Sequence, residues 1–189
     1  MKTRPAVEYV LLGSLVQGPR HGYEIIRFLE SDLGTTWRVG TSQLYSVLKR
    51  LEHKGLVRST VETQETRPSR RVFSLTGEGK KVFESWLHTP TRHVRDMRVE
   101  FLAKLFFIRK CSREKGNELL DAQIRVLESI RDKLFRSRER ETDPFSRLVW
   151  GFRLETIRAW MTWLEQEAVD FLKTSQRVER GEKDERDLR

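Results

Sequence analysis

Cysteine is nearly absent. The chain holds 1 in 189 residues, Cys111, so neither an intramolecular disulfide framework nor a cysteine-rich zinc site can form. A reducing compartment, the cytoplasm, is the expected home. Long apolar runs are missing too: nothing approaches the roughly 20 consecutive apolar residues a helix needs to cross a bilayer, and no membrane partner is expected. The first stretch carries Glu8 among its apolar residues and lacks a small-x-small cleavage pattern, which argues against a secretory leader. Histidine is scarce. His21, His53, His88 and His93 show no His-x3-His spacing, and His88 and His93 straddle Pro90 in a poor chelating arrangement; no metal and no cofactor are expected. There is no Gly-x-Ser-x-Gly, no phosphate loop and no complete Gly-x-Gly-x-x-Gly, since Gly77-Glu78-Gly79 lacks its third glycine. Carboxylates are plentiful but alternate with Arg and Lys, as from Arg136 to Glu141. That is the pattern of a solvated helix face with i,i+4 pairs rather than of a polar cleft. Nothing here reads as an enzyme.

Positive charge is what the chain has in excess. Lys+Arg number 37 against 28 Asp+Glu, a net +9 with histidine neutral, and the isoelectric point is near 10. This favours a polyanionic partner without locating its site. Val7, Val10, Leu11, Ser14 and Leu15 recur at three and four and predict a helix that Gln17-Gly18-Pro19 stops. Tyr23, Ile26, Phe28, Leu29 and Leu33 predict a second, closed by Gly34. Leu44, Val47, Leu48 and Leu51 predict a third, with Thr41 as its N-cap. The period then becomes two in Leu56–Val61 and Arg70–Leu75, short strands around a polar loop from Glu62 to Ser69. Thr76 is placed to cap a fourth helix carrying Val82, Phe83, Trp86 and Leu87, with Pro90 after it.

From Arg92 on the pattern is helical and charged. Phe101, Leu102, Leu105, Phe106 and Ile108 mark one helix; Leu120, Ile124, Leu127 and Leu134 mark the next, with Ser112 as its cap. Asp143-Pro144 is a start signal, an acidic cap before proline at the first helical position. The helix it opens has two apolar rows: Phe145, Val149, Phe152, Trp160 and Trp163; and Trp150, Leu154, Ile157, Met161, Leu164, Ala168 and Phe171. So much apolar circumference needs cover on more than one side, and a second subunit is the simplest cover. Phe145, Val149, Phe152, Trp160, Trp163 and Leu164 are the candidate dimer interface. The expected fold class is mainly α with a small β-hairpin. It comprises an N-terminal winged helix-turn-helix over residues 1–90, a C-terminal α-helical dimerisation domain over 91–175, and a charged tail over 176–189 that is expected to be disordered.

If the four leucine and valine positions of the third helix face inward, Ser42, Gln43, Tyr45, Ser46 and Lys49 face outward at its N-terminal half, where a helix in the major groove meets base edges. Glutamine bonds adenine bidentately, serines allow close approach, and tyrosine reaches a phosphate or sugar. Lys49, Arg50 and Lys54 suit backbone phosphates. Arg67, Arg70 and Arg71 crowd the hairpin loop, either to enter a minor groove or clamp its phosphates, or with one of them paired to Glu62 or Glu65. His21-Gly22-Tyr23 opens the second helix; its free N–H groups can hold a phosphate, or His21 caps the helix through its side chain. Trp150, Trp160 and Trp163 read as packing before they read as an aromatic pocket.

Leu12-Gly13-Ser14-Leu15, Gly18-Pro19-Arg20-His21-Gly22-Tyr23-Glu24-Ile25, Leu44-Tyr45, Arg50-Leu51-Glu52-His53-Lys54-Gly55-Leu56-Val57, Arg70-Arg71-Val72-Phe73-Ser74-Leu75-Thr76, Gly79 and Trp86-Leu87 together resemble the PadR-like transcriptional regulators over residues 5–88. Glu100-Phe101-Leu102-Ala103-Lys104-Leu105 and the tryptophan-rich helix are similar to the longer members. The resemblance implies a homodimeric repressor that binds a palindromic operator in double-stranded DNA. Its third helix would enter the major groove and its wing would meet the minor groove or backbone; some members release DNA to a phenolic acid or another small aromatic effector. Two departures stand out: Ser46 where the family usually has proline, and Phe73 where it usually has tyrosine. The rival expectation is a winged-helix interaction module that takes an acidic protein partner without sequence-specific DNA binding.

Overall fold

A computed structural model describes residues 6–34, 37–62 and 70–174. They form two compact units. One comprises the residues up to His88 together with Arg98–Phe107; the other comprises Thr89–Met97 and the residues from Ile108 on. Residues 98–107, which the sequence pattern groups with the C-terminal helices, therefore pack with the N-terminal unit.

In the first unit, α1 (Ala6–Ser14) buries Val10, Leu11 and Leu12 completely. It ends before Gly18, whose φ of 144° is open to glycine and strained for other residues. A two-residue strand follows, β1 (Arg20–His21), too short for any periodicity to announce. Helix α2 (Gly22–Leu33) buries Ile25, Phe28, Leu29 and Leu33. This corrects the expected apolar row: Ile25 rather than Ile26 faces the core, and Tyr23 stands on the surface. Helix α3 (Thr41–His53) starts one residue earlier than expected. Gly40 occupies the cap position without a side-chain bond, and Thr41 is the first helical residue.

Strands β2 (Val57–Glu62) and β3 (Arg70–Leu75) pair antiparallel from Val57↔Leu75 to Glu62↔Arg70, and β1 adds to the other edge of β3 through Arg20↔Phe73 and His21↔Val72. The sheet order is β1-β3-β2, a helix-turn-helix followed by a wing. Helix α4 (Gly77–Leu87) has the expected cap, with the Thr76 hydroxyl accepting from the Gly79 N–H at 3.0 Å.

Residues 98–107 complete this core. They follow a short 3-10 turn and include the first part of α5 (Leu102–Cys111). Phe107 meets Phe83 edge-to-face at 5.4 Å and lies 6.4 Å from Phe28. Lys104 is 1% exposed, is 2.7 Å from the Glu100 carboxylate and 5.1 Å from the Trp86 ring. Burial pushes its ammonium below the usual lysine range, against the opposing pull of Glu100.

The second unit is a helical pair. Helix α6 (Gly116–Arg140) buries Leu119, Leu120, Gln123 and Leu127, a stripe shifted from the expected one, which leaves Ile124 and Leu134 half-buried. Ser112 makes no capping bond; a short 3-10 turn, Arg113–Lys115, intervenes. The Gln123 side chain accepts from the Thr91 N–H at 2.6 Å and donates to its carbonyl at 3.0 Å. Helix α7 (Pro144–Trp163) opens as expected, Asp143 accepting from the Ser146 N–H at 2.7 Å. Its buried row is Leu154 and Ile157, continued by Leu164, Ala168 and Leu172. No helix among the described residues is long and apolar enough to cross a membrane. The predicted tail, 176–189, lies outside those residues.

Candidate nucleic-acid interface

The surface of α3 follows from its burial. Leu44, Leu48 and Leu51 are fully buried and Val47 nearly so. The intervening positions must therefore turn outward, and Ser42, Gln43, Ser46 and Lys49 are all exposed. Among the described residues none of these four makes a side-chain hydrogen bond or ion pair. Tyr45 shares this face but leans on the fold: its ring is 6.4 Å from Phe73, and its hydroxyl covers Gly22 so closely that a Cβ there would strike it. Glycine at 22 thus seats Tyr45 against the start of α2.

That helix start is already engaged. The Glu24 carboxylate accepts from the His21 N–H at 2.7 Å, while His21 makes no side-chain capping bond. Its ring stacks on Tyr23 at 5.5 Å, with Nε2 3.7 Å from Glu62. The Arg70 guanidinium lies 5.7 Å over the Tyr23 ring. His21, Tyr23 and Arg70 therefore form one basic and aromatic ridge. The carboxylate of Glu24 weakens the case for a phosphate at this terminus.

Other cations have intramolecular partners the sequence pattern did not show. Lys54 donates to both oxygens of the buried Glu8 at 2.9 and 3.1 Å, and Arg50 lies 3.5 Å from it. Neither is the unengaged phosphate ligand expected. Arg71 Nη2 sits 3.0 Å from Glu52 and 2.6 Å from the Ser59 hydroxyl; among the described residues its carboxylate partner is Glu52, and Glu65 lies outside them. The Ser59 hydrogen bond above all holds the Glu52 carboxyl below the usual carboxylate range; burial opposes it, and the Arg71 charge and hydrogen bond add to the lowering. Glu8 and Glu52 were the site's missed members, and no local pattern marks either. Arg67 lies outside the described residues.

In the second unit one apolar face of α7 is open. Phe145, Leu148 and Phe152 are 72%, 69% and 73% exposed; Val149, Trp160 and Trp163 are half-buried. Leu164 is corrected: it is fully buried in the row facing its own unit. Leu148 was overlooked, though three after Phe145 and four before Phe152 is a legible spacing. Trp160 and Trp163 meet edge-to-face at 5.7 Å, and Arg153 lies 4.9 Å over Trp150. Among the described residues no group of His, Cys, Asp and Glu could hold a metal ion.

Residues 11–85 match the transcriptional regulator PadR-like family. The negative transcriptional regulator PadR of Bacillus subtilis is 30% identical over 173 residues, covering 84% of this chain and 93% of the relative. A probable transcriptional regulator of Mycobacterium tuberculosis is 28% identical over 90 residues, 48% of each chain. Among solved structures, Bacillus subtilis PadR in complex with operator DNA is 26% identical, with a TM-score of 0.48 over 90% of this chain and 99% of that one. The same protein in complex with p-coumaric acid gives 0.41 over 88% and 99%. The first unit is a winged helix-turn-helix, its relative is matched nearly end to end, and the chain belongs to the PadR-like family of transcriptional regulators.

Proposed function

We propose that this regulator is a homodimeric repressor that reads a palindromic operator with α3 and is released by a small aromatic compound. One observation carries the DNA reading: a helix whose apolar side is wholly buried presents Ser42, Gln43, Ser46 and Lys49 outward with no intramolecular partner among the described residues. Polar groups left unpaired on one face are available to base edges and phosphates. Tyr45 and the ridge of His21, Tyr23 and Arg70 flank that face and supply backbone contacts. The open face of α7 supports pairing with a second copy. Pairing would set the two recognition helices about 34 Å apart, the spacing of successive major-groove faces. An aromatic effector acts by preferring one dimer shape, and shifts the equilibrium only by its differential affinity for the two. The Bacillus subtilis relative's complexes with operator DNA and with p-coumaric acid favour both halves of this reading. Such a regulator works in the cytoplasm, beside the chromosome, and performs no catalysis.

The test is a gel-shift selection on genomic fragments at physiological salt. Expected are competitor-resistant complexes on fragments that share a palindrome, which p-coumaric acid or a related phenolic acid dissociates. Equal retention of every fragment, or none, would overturn the repressor reading in favour of a protein-interaction module.

A further inference from the structure

We propose that Glu52 is a positioning residue for operator recognition: with Ser59 and Arg71 it clamps the wing to the recognition helix, and Arg71 serves the clamp rather than a phosphate. The proposal rests on the DNA-binding reading above. Three elements meet at one point. Glu52 stands near the C-terminal end of α3, Ser59 on β2 and Arg71 on β3. The Ser59 hydroxyl donates to Glu52 Oε1 at 2.6 Å. Arg71 Nη2 donates to Ser59 at 2.6 Å and to the two Glu52 oxygens at 3.2 and 3.0 Å. Each group of this closed triangle is held by the other two.

Strand parity supports the assignment. Successive side chains alternate between the faces of a sheet, and the register pairs Ser59 with Phe73 and Val61 with Arg71. Ser59, Val61, Arg71 and Phe73 thus share one face. Phe73 is buried next to Tyr45 of α3, so this is the face turned to the recognition helix. The Arg71 guanidinium also lies 5.4 Å over the Phe73 ring, held between ring and carboxylate. Arg70, one residue earlier, points to the opposite face and reaches Tyr23. Of Arg70 and Arg71, Arg70 is the one left for DNA.

Charge gives the clamp a sign that a phosphate contact cannot share. Were Arg71 a phosphate ligand, Glu52 would compete with DNA for it, and Glu52→Gln would release the guanidinium and tighten binding. As a clamp, Glu52→Gln loosens the wing and weakens binding, although it makes the protein more positive.

The experiment uses the full chain and two duplexes of equal length: a palindrome recovered by genomic selection and a random sequence. Affinities are measured across a salt series. Glu52→Gln and Arg71→Gln should each weaken the palindrome complex about three- to fivefold. Glu52→Gln should leave random-duplex binding no weaker than in wild type. The double variant, which keeps the wild-type net charge, should be no weaker than either single and should keep the wild-type salt slope. The charge swap Glu52→Arg with Arg71→Glu should recover affinity that each single reversal loses. Tighter palindrome binding by Glu52→Gln would overturn the clamp, and so would a double variant whose salt slope falls by about one. A wild-type protein with no competitor-resistant complex fails the DNA reading itself, a distinct result that removes both. Should either glutamine variant lose its helical circular dichroism, Ser59→Ala replaces it; a loss of about twofold on the palindrome alone is expected, and unchanged binding would overturn the clamp.

Discussion

Gln43 and Lys49 share an exposed face of α3, but their chemistry separates their roles. An amide carries a donor and an acceptor and can distinguish adenine; an ammonium offers charge and suits a phosphate. Gln43→Ala should narrow the gap between palindrome and random duplex by about tenfold, the value of one lost bidentate pair, with an unchanged salt slope. Lys49→Ala should weaken both duplexes alike and lower the slope by about one. Titrations at several salt concentrations separate the two, and identical behaviour of the variants would remove the base-reading role. Lys104 makes a different prediction at the same scale. Its folded pKa lies below its unfolded value because burial disfavours the charged form. Between those two values the unfolded chain binds the extra proton, so stability rises with pH through that window, which closes near the ordinary lysine value of 10.5. Lys104→Met lacks this titration. Chemical denaturation should therefore show wild type gaining on the variant as pH climbs toward 10.5, and a constant difference would mean that the ammonium is not penalised by its surroundings.

Elements were legible in proportion to how far their own residues determine them. Helix α3 could be read because Leu44, Val47, Leu48 and Leu51 leave one way to bury a helix of that length. Helix α2 offered adjacent Ile25 and Ile26, between which periodicity has no choice. Gly22 packing under Tyr45 belongs to the tertiary arrangement in which Ile25 faces inward. Strand β1 exists only because β3 has a free edge for Arg20 and His21. Glu8 pairs with Lys54 across 46 positions, a contact no local pattern carries, and for that reason Lys54 looked like a phosphate ligand. Caps were legible where the side chain bonds within three residues, as at Thr76 and Asp143, and misread at Thr41 and Ser112, which make no capping bond. Thr76 illustrates this and goes further: besides capping α4 it donates to the Gly55 carbonyl at 2.8 Å, tying the hairpin to the end of α3. Thr76→Ala removes both bonds and should cost about 1–2 kcal/mol, whereas Thr76→Ser should restore most of it. Urea denaturation of the three proteins checks this; a loss in the serine variant equal to that in alanine would assign the effect to the methyl group instead.

For the molecule as a whole, the deciding question is what covers α7. Its inner row, Leu154, Ile157, Leu164, Ala168 and Leu172, is satisfied within its own unit, and truncating it should unfold that unit: Leu154→Ala is expected to cost about 2–5 kcal/mol. The outer row, Phe145, Leu148 and Phe152, stands open on the isolated chain. Three large apolar side chains on one helix face mark an interaction surface, and a homodimer would bury them against their copies. Phe152→Glu is therefore the informative substitution. The side chain is 73% exposed, so a charge there does little to the folded monomer, but two would oppose each other in a symmetric interface. Circular dichroism should be unchanged, while sedimentation velocity at micromolar concentration should move from dimer to monomer. Loss of pairing should also weaken palindrome binding by about a hundredfold or more, because the second half-site would no longer be presented at a high effective concentration. Binding to a single half-site should stay close to that of wild type. A variant that remains dimeric would move the interface away from Phe152; a monomer that still holds the full palindrome as tightly as wild type would mean that dimer spacing plays no part in recognition.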